Sequence, residues 1–238
     1  MTRRRRFVFA TAFVIVIAAC GDSSDTVEFD FPDEPSVVVV RVGTGDVTVT
    51  ANNQSGSSVE ATLNYEDAAP TVTADLSEGT LSVTDDCVSG CSVDYRILVG
   101  DTAQLTLVSG EGAVVVNSLE GSFDITASGS GDVSVNTLTG LITVAVESGD
   151  ILGARLVSET ATFATGDGTV DVTFDQIPTE LSIASGSGDV TAQVPDVAYV
   201  VDAATGDGDV DVQVDVDAGS EWAINIATDS GDVTLDKK

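Results

Sequence analysis

Ala127-Ser-Gly-Ser-Gly-Asp-Val-Ser-Val135 returns almost unchanged as Ala184-Ser-Gly-Ser-Gly-Asp-Val-Thr-Ala192, and this pair of stretches decides how the chain is read. Variants surround it. Ala164-Thr-Gly-Asp-Gly-Thr-Val-Asp-Val172, Ala204-Thr-Gly-Asp-Gly-Asp-Val-Asp-Val212 and Ala227-Thr-Asp-Ser-Gly-Asp-Val-Thr-Leu235 keep the phase. Ser109-Gly-Glu-Gly-Ala-Val-Val-Val116 and Glu147-Ser-Gly-Asp-Ile151 are degenerate copies, and Gly43-Thr-Gly-Asp-Val-Thr-Val49 is an outlying early one. The last glycines, at positions 112, 131, 149, 168, 188, 208 and 231, are 18 to 23 residues apart. A second, weaker beat lies between them, in Asn117-Ser-Leu-Glu-Gly121 and Asn136-Thr-Leu-Thr-Gly140.

Around these turns, Val, Ile, Leu and Ala alternate with Asp, Ser and Thr, as in Phe123-Asp-Ile125, Ile142-Thr-Val144 and Leu181-Ser-Ile183. A period of two gives a strand with one buried and one wet face. Glycine supplies positive φ in the turns, and Asp or Ser closes an Asx-type turn. Each unit of roughly 20 residues therefore holds two short strands and cannot bury its apolar face alone; stacked copies make a continuous core. The expectation is an all-β chain without helix, a β-solenoid or β-helix of roughly 20-residue two-strand coils over 109–238. An antiparallel sandwich is the rival, but the fixed phase of Gly-Asp-Val favours coils. Residues 36–108 keep the alternation without the short repeat. They are expected to form an irregular β region, an N-terminal cap, with strands over 37–42, 47–51, 59–65, 71–76, 81–84, 93–99 and 105–108.

Composition narrows the function. The chain has 39 acidic and 9 basic residues and no histidine. Four of the basic residues are Arg3 to Arg6, so the part after residue 20 carries a net charge of −34. Nucleic-acid binding through a basic footprint is excluded, as is histidine-based catalysis. With 42% hydrophobic and 20% charged residues, the chain is not a disordered acidic tail.

Residues 1–19 read as a signal peptide. A charged start is followed by an uncharged run from Phe7 to Ala19, too short to span a bilayer. Its end, Ile17-Ala-Ala-Cys20-Gly21, resembles the lipobox of bacterial lipoproteins. The resemblance implies cleavage before Cys20, lipidation of its thiol, a tether over 20–35, and an extracytoplasmic protein held to the membrane by that lipid. Arg4-Arg5-Arg6-Phe7 partly matches a twin-arginine signal, and the export route stays open.

The recurring Gly-[Ser/Asp]-Gly-Asp-Val, with Cys91-Ser-Val-Asp-Tyr95 and Gly100-Asp-Thr102 ahead of it, resembles the bacterial "putative adhesin" family of β-strand-repeat proteins. The likeness covers residues 36–236. It implies the fold and an adhesin-like role, and it brings no catalytic residue.

Cys87-Val-Ser-Gly-Cys91 favours a disulfide over free thiols, and both over a metal site, which would lack further soft ligands. Asp207, Asp209 and Asp211 are weak calcium candidates. Their near-20-residue period departs from calcium-binding nonapeptides, and turn chemistry on a wet face explains them as well. Trp222 is read as a plug at the C-terminal end of the core rather than a sugar platform. The resulting expectation is a non-enzymatic, lipid-anchored scaffold or interaction surface of the cell envelope, without an obligate cofactor. Its partner would be an envelope protein or polysaccharide. The alternative is a carbohydrate-active enzyme, or a calcium-dependent sugar binder, on the same fold.

Overall fold

Alternating sequences make strands almost everywhere in the computed structural model, which describes residues 13–17, 23–52 and 55–238. Every regular element among them is a strand. In chain order these are β1 (Phe13–Ile17), β2 (Ser23–Phe31), β3 (Val37–Thr44), β4 (Val47–Ala51), β5 (Ser57–Tyr65), β6 (Val72–Ser77), β7 (Thr80–Asp85) and β8 (Cys91–Val99). The repeat region supplies β9 (Gln104–Glu111), β10 (Val114–Asn117), β11 (Glu120–Ser130), β12 (Val133–Asn136), β13 (Thr139–Ser148), β14 (Ile151–Leu156), β15 (Thr160–Asp167), β16 (Val170–Phe174), β17 (Glu180–Ser187) and β18 (Val190–Val194). The chain closes with β19 (Ala198–Asp207), β20 (Val210–Val212), β21 (Asp215–Val216), β22 (Ala223–Ser230) and β23 (Val233–Lys237).

Two sheets, of 12 and 11 strands, share these elements. From β9 to β18 each coil gives one strand to each sheet, and equivalent strands pair in parallel. The register is that of the repeat: Val114 faces Val133, Val133 faces Ile151, Ile151 faces Val170, and Val170 faces Val190. Inward positions of both sheets meet in one narrow core, in which Val133, Val135, Ile142, Val144, Phe163 and Val172 have no exposed surface. The parallel pairing and fixed register are those of a solenoid, not of an antiparallel sandwich.

The weaker beat has its own cause. Ser118, Thr137 and Arg155 take left-handed φ of 61°, 54° and 54°. Each turns the chain so that the next leucine, Leu119, Leu138 or Leu156, points inward with no exposed surface.

Two expectations are corrected. Residues 23–31 are not tether. β2 is bonded antiparallel to β5 over its whole length, and the alternation in Val27-Glu-Phe-Asp-Phe31 buries Phe29 and Phe31. The regular coils begin at Val37 rather than 109, because β3 and β4 lie in register against β9 and β10, with Val38 on Leu105 and Val47 on Val114. What caps this end is the antiparallel additions, β2 and β5 on one sheet and β6 on the other. The expected signal segment is described in part, as β1, which pairs antiparallel with β2.

At both ends the coils are stacked out of sequence order. The sheets run β8-β4-β10 and β7-β3-β9 at one end, and β18-β23-β20 and β17-β22-β19 at the other. The first coil in sequence thus lies inside the coil β7–β8, and the last, β22–β23, lies inside β19–β20. Side-chain size accounts for the second swap. The inner place goes to Ile224, Ile226 and Leu235, all at most 2% exposed, and the outer place to the smaller Val201, Ala203 and Val212. The exchange favours the observed order by five buried carbons, about 4 kcal/mol at most. The two-residue alternation that turns Val133, Ile151, Val190 and Val233 inward turns Val210 the same way, but its place in the outer coil leaves it 44% exposed.

Candidate functional site

The Gly-Asp-Val corner gathers polar groups and recurs in most of the described coils. Its glycine is required by space as well as by φ. At Gly188 φ is +136°, and a Cβ there would stand 2.2 Å from the carbonyl oxygen of Gly168 in the coil below. The same contact recurs from Gly112 to Gly231, so successive coils stack backbone on backbone.

The aspartate that follows bonds to the next coil. Asp150 N–H donates to Asp132 Oδ1 at 2.9 Å, and Thr169 N–H donates to Asp150 Oδ1 at 2.7 Å. Asp232 N–H donates to Asp189 Oδ1 at 2.8 Å, and Asp209 N–H to Asp232 Oδ1 at 2.9 Å. At the other end Asp46 N–H donates to Asp94 Oδ1, and Ala113 N–H to Asp46 Oδ1. Where the sequence has Ala113 or Thr169 there is no carboxylate to accept, and the ladder restarts one coil on. A third row lies just before the turn, where Thr165, Ser185, Thr228 and Thr205 hydroxyls donate to the carbonyls of Gly149, Gly168, Gly188 and Gly231. Ser109, in the same column, is buried and its hydroxyl has no partner among the described residues.

The calcium candidates lie in the outermost coil and are exposed. Asp209 is part of the ladder, Asp211 accepts from Gln213 Nε2 at 3.1 Å, and the Asp207 carbonyl accepts from Gly231 N–H. No three His, Cys, Asp or Glu among the described residues stand where they could hold a metal ion. Trp222 leads into the inner coil β22 rather than plugging an end. It is half-buried and packs edge-on against Tyr199, with ring centroids 6.4 Å apart. Cys87 and Cys91 are joined by a disulfide with Cα atoms 5.8 Å apart, which holds the turn into β8. Cys20 lies outside the described residues.

The tyrosines carry the perturbed titrations. Burial, and then Asp85, which accepts from its hydroxyl at 2.9 Å, pushes Tyr95 far up. Burial and then Asp196 push Tyr199 to about 12, while its hydroxyl donates to the Pro195 carbonyl. Tyr65 is raised first by its hydrogen bond to Asp25 and then by burial. These groups anchor corners of the framework. A depression of about 480 Å³ near the capped end is lined by Asp30, Phe31, Pro32, Asn52 and Leu98 among others. The ladder was half legible in the sequence, where the repeated aspartates read as turn formers. That each carboxylate serves the next coil rather than its own turn was not.

Residues 88–236 match the family model described as Toastrack DUF4097. Among curated proteins, none matches. Solved structures similar in fold include a "putative cell adhesion protein" from Clostridium sporogenes ATCC 15579, at 10% identity and TM-score 0.38, covering 97% of this chain and 100% of that one. A "putative adhesin" from Parabacteroides merdae ATCC 43184 has 12% identity and TM-score 0.39, with 96% of each chain covered. Another from Bacteroides fragilis NCTC 9343 has 12% identity and TM-score 0.40, covering 90% of this chain and 97% of that one.

Proposed function

The chain belongs to the Toastrack DUF4097 family, and on that premise we propose that it is a non-enzymatic, extracytoplasmic scaffold that presents a β-solenoid wall as an adhesin-like interaction surface, tied to the membrane by lipid on Cys20. The observation that carries this reading is the aspartate ladder. The carboxylates that recur through the repeat are engaged in joining coil to coil, as in the bonds from Thr169 N–H to Asp150 and from Asp232 N–H to Asp189. Residues of catalytic type are thus spent on building a long, regular surface. That surface is acidic and extended, which suits contact with a large partner. The lipobox-like Ile17-Ala-Ala-Cys20 supports the anchor.

Cell fractionation tests the anchor. Wild-type protein should sediment with membranes and incorporate labelled fatty acid. Cys20→Ser should lose the label and either be released or stall as precursor. A fully processed Cys20→Ser protein that stays on membranes would refute lipid anchoring.

A further inference from the structure

The two ends of the solenoid differ. At one end the outermost coil is covered by antiparallel strands, β2 and β5 on one sheet and β6 on the other. At the other end β20 is the last strand of its sheet, and β19 is covered by β21 through two residue pairs, at Ala198 and Tyr199. From Val200 to Asp207, β19 pairs with β22 on one side and, among the described residues, with no strand on the other.

The free side has a defined pattern. Val200 N–H donates to the Trp222 carbonyl, so in a strand the alternate residues Val201 and Ala203 turn N–H and C=O away from β22. The Tyr199 carbonyl on that same side is already taken by Asp217 N–H. Apolar side chains are uncovered beside this edge. Val210 is 44% exposed where its inner equivalent Val233 is fully buried, and Val216 is 63% exposed.

Charge selects what can dock there. Residues 196–221 hold eight acidic side chains and no Lys or Arg, about twice the acidic density of the whole chain. Asp202, Asp207, Asp209 and Asp211 flank the open edge and are all exposed. A second copy brings like charge from either end, because the capped end also exposes Glu66, Asp67, Asp75 and Glu78. Acidic edges oppose pairing with themselves. They do not oppose a strand of opposite sign.

We propose that the β19–β20 end is a docking edge for an extended, lysine- or arginine-rich strand of a partner protein, which continues the sheet from the Val201 and Ala203 amides. The strand's apolar residues would cover Val210 and Val201, and its basic ones would face the aspartates. This names the partner chemistry of the interaction surface proposed above and rests on that reading for its biological sense. The binding itself does not need the lipid, so failure here leaves the fractionation result standing, and the converse also holds.

The test uses a labelled peptide of the length of β19 that alternates lysine and valine, with a glutamate–valine peptide as its counterpart. Anisotropy should show binding of the lysine peptide alone, weakening as salt is added. Ala203→Pro removes the outward amide and leaves the β22 ladder intact; it should weaken binding at least about tenfold, the loss of one or two hydrogen bonds. Hydrogen exchange on the wild-type protein gives a readout independent of that variant's folding: the peptide should protect the Val201 and Ala203 amides. Three outcomes would overturn the proposal: no binding of the lysine peptide, equal binding by a folded Ala203→Pro protein with no protection at those amides, or self-association of the wild-type protein through this end.

Discussion

Replacing Asp150 separates the two things its carboxylate does. It accepts the Thr169 N–H at 2.7 Å, and it stands one coil from a second carboxylate, Asp132. On its other side the column holds Thr169, so a single repulsive pair is involved. Neighbouring strands lie about 4.8 Å apart, and two unit charges at that distance in water repel by about 0.9 kcal/mol before screening. The hydrogen bond is exposed and contributes about 1 kcal/mol. Asp150→Asn keeps an acceptor oxygen and removes the repulsion; Asp150→Ala removes both. At low salt the Asn protein should therefore melt at or above the wild-type temperature, and the Ala protein close to it. In molar sodium chloride the screening length falls to about 3 Å. The wild-type protein should then rise to meet Asn, while Ala falls below both. A difference of about 1 kcal/mol corresponds to roughly 2–4 °C in a chain of this size. Melts followed by circular dichroism across a salt series decide it. Coincident Asn and Ala curves at every salt concentration would mean that the ladder bond contributes nothing, and would refute its role in joining coils.

Gly188→Ala should be severely destabilising, by more than about 4 kcal/mol, since positive φ and a backbone clash add; Gly90→Ala, at φ +68° with nothing within 4 Å of the new Cβ, should cost only about 1–2 kcal/mol. Denaturant melts of the two proteins test the contrast, and equal losses would count against close backbone stacking. Deleting residues 170–189 removes one whole period and puts Val190 where Val170 stood, so a shorter β protein should still fold, whereas deleting 170–179 should not; circular dichroism of both distinguishes them. All three tyrosines are raised, so none should ionise at the ordinary value of 10.0 while the protein is folded. For Tyr199 the native state holds its proton more tightly than the unfolded chain. Its contribution is thus complete below pH 10 and is lost as pH rises toward about 12. An ultraviolet titration beside an alkaline unfolding curve checks this, and a tyrosine titrating near pH 10 before unfolding would contradict it.

The coils were legible because their cause is local. Gly-Asp-Val fixes a corner, and alternation on either side fixes the faces, so Val133, Ile151, Val190, Val210 and Val233 are all placed inward from the sequence alone; four of them are buried and Val210, in the outermost coil, is not. The order of the end coils was not legible by the same logic. Residues 204–212 and 227–235 carry equivalent turn motifs, and either coil could stack on β17–β18. The difference lay in the side chains between the turns, where Ile224 and Ile226 stand against Val201 and Ala203. β2 was hidden by its neighbourhood: a polar stretch after a lipobox reads as tether, although Val27, Phe29 and Phe31 already alternate. The open edge at β19 followed from neither the motif nor the pattern, because it depends on which coil is outermost.

That the last coil is enclosed also bears on how the molecule assembles and how it yields to force. A chain that folds as it emerges can stack its middle coils one after another, each on a finished surface. It cannot finish that way. Val233–Lys237 must settle between β18 and β20, which precede it, so β19–β20 must still be detached, or swing aside, when the final strand arrives. The same arrangement resists unravelling from the end. Pulling on Lys238 loads the ladder to β18 and the ladder to β20 together, and both have to shear at once where an ordinary terminal coil would peel away from a single neighbour.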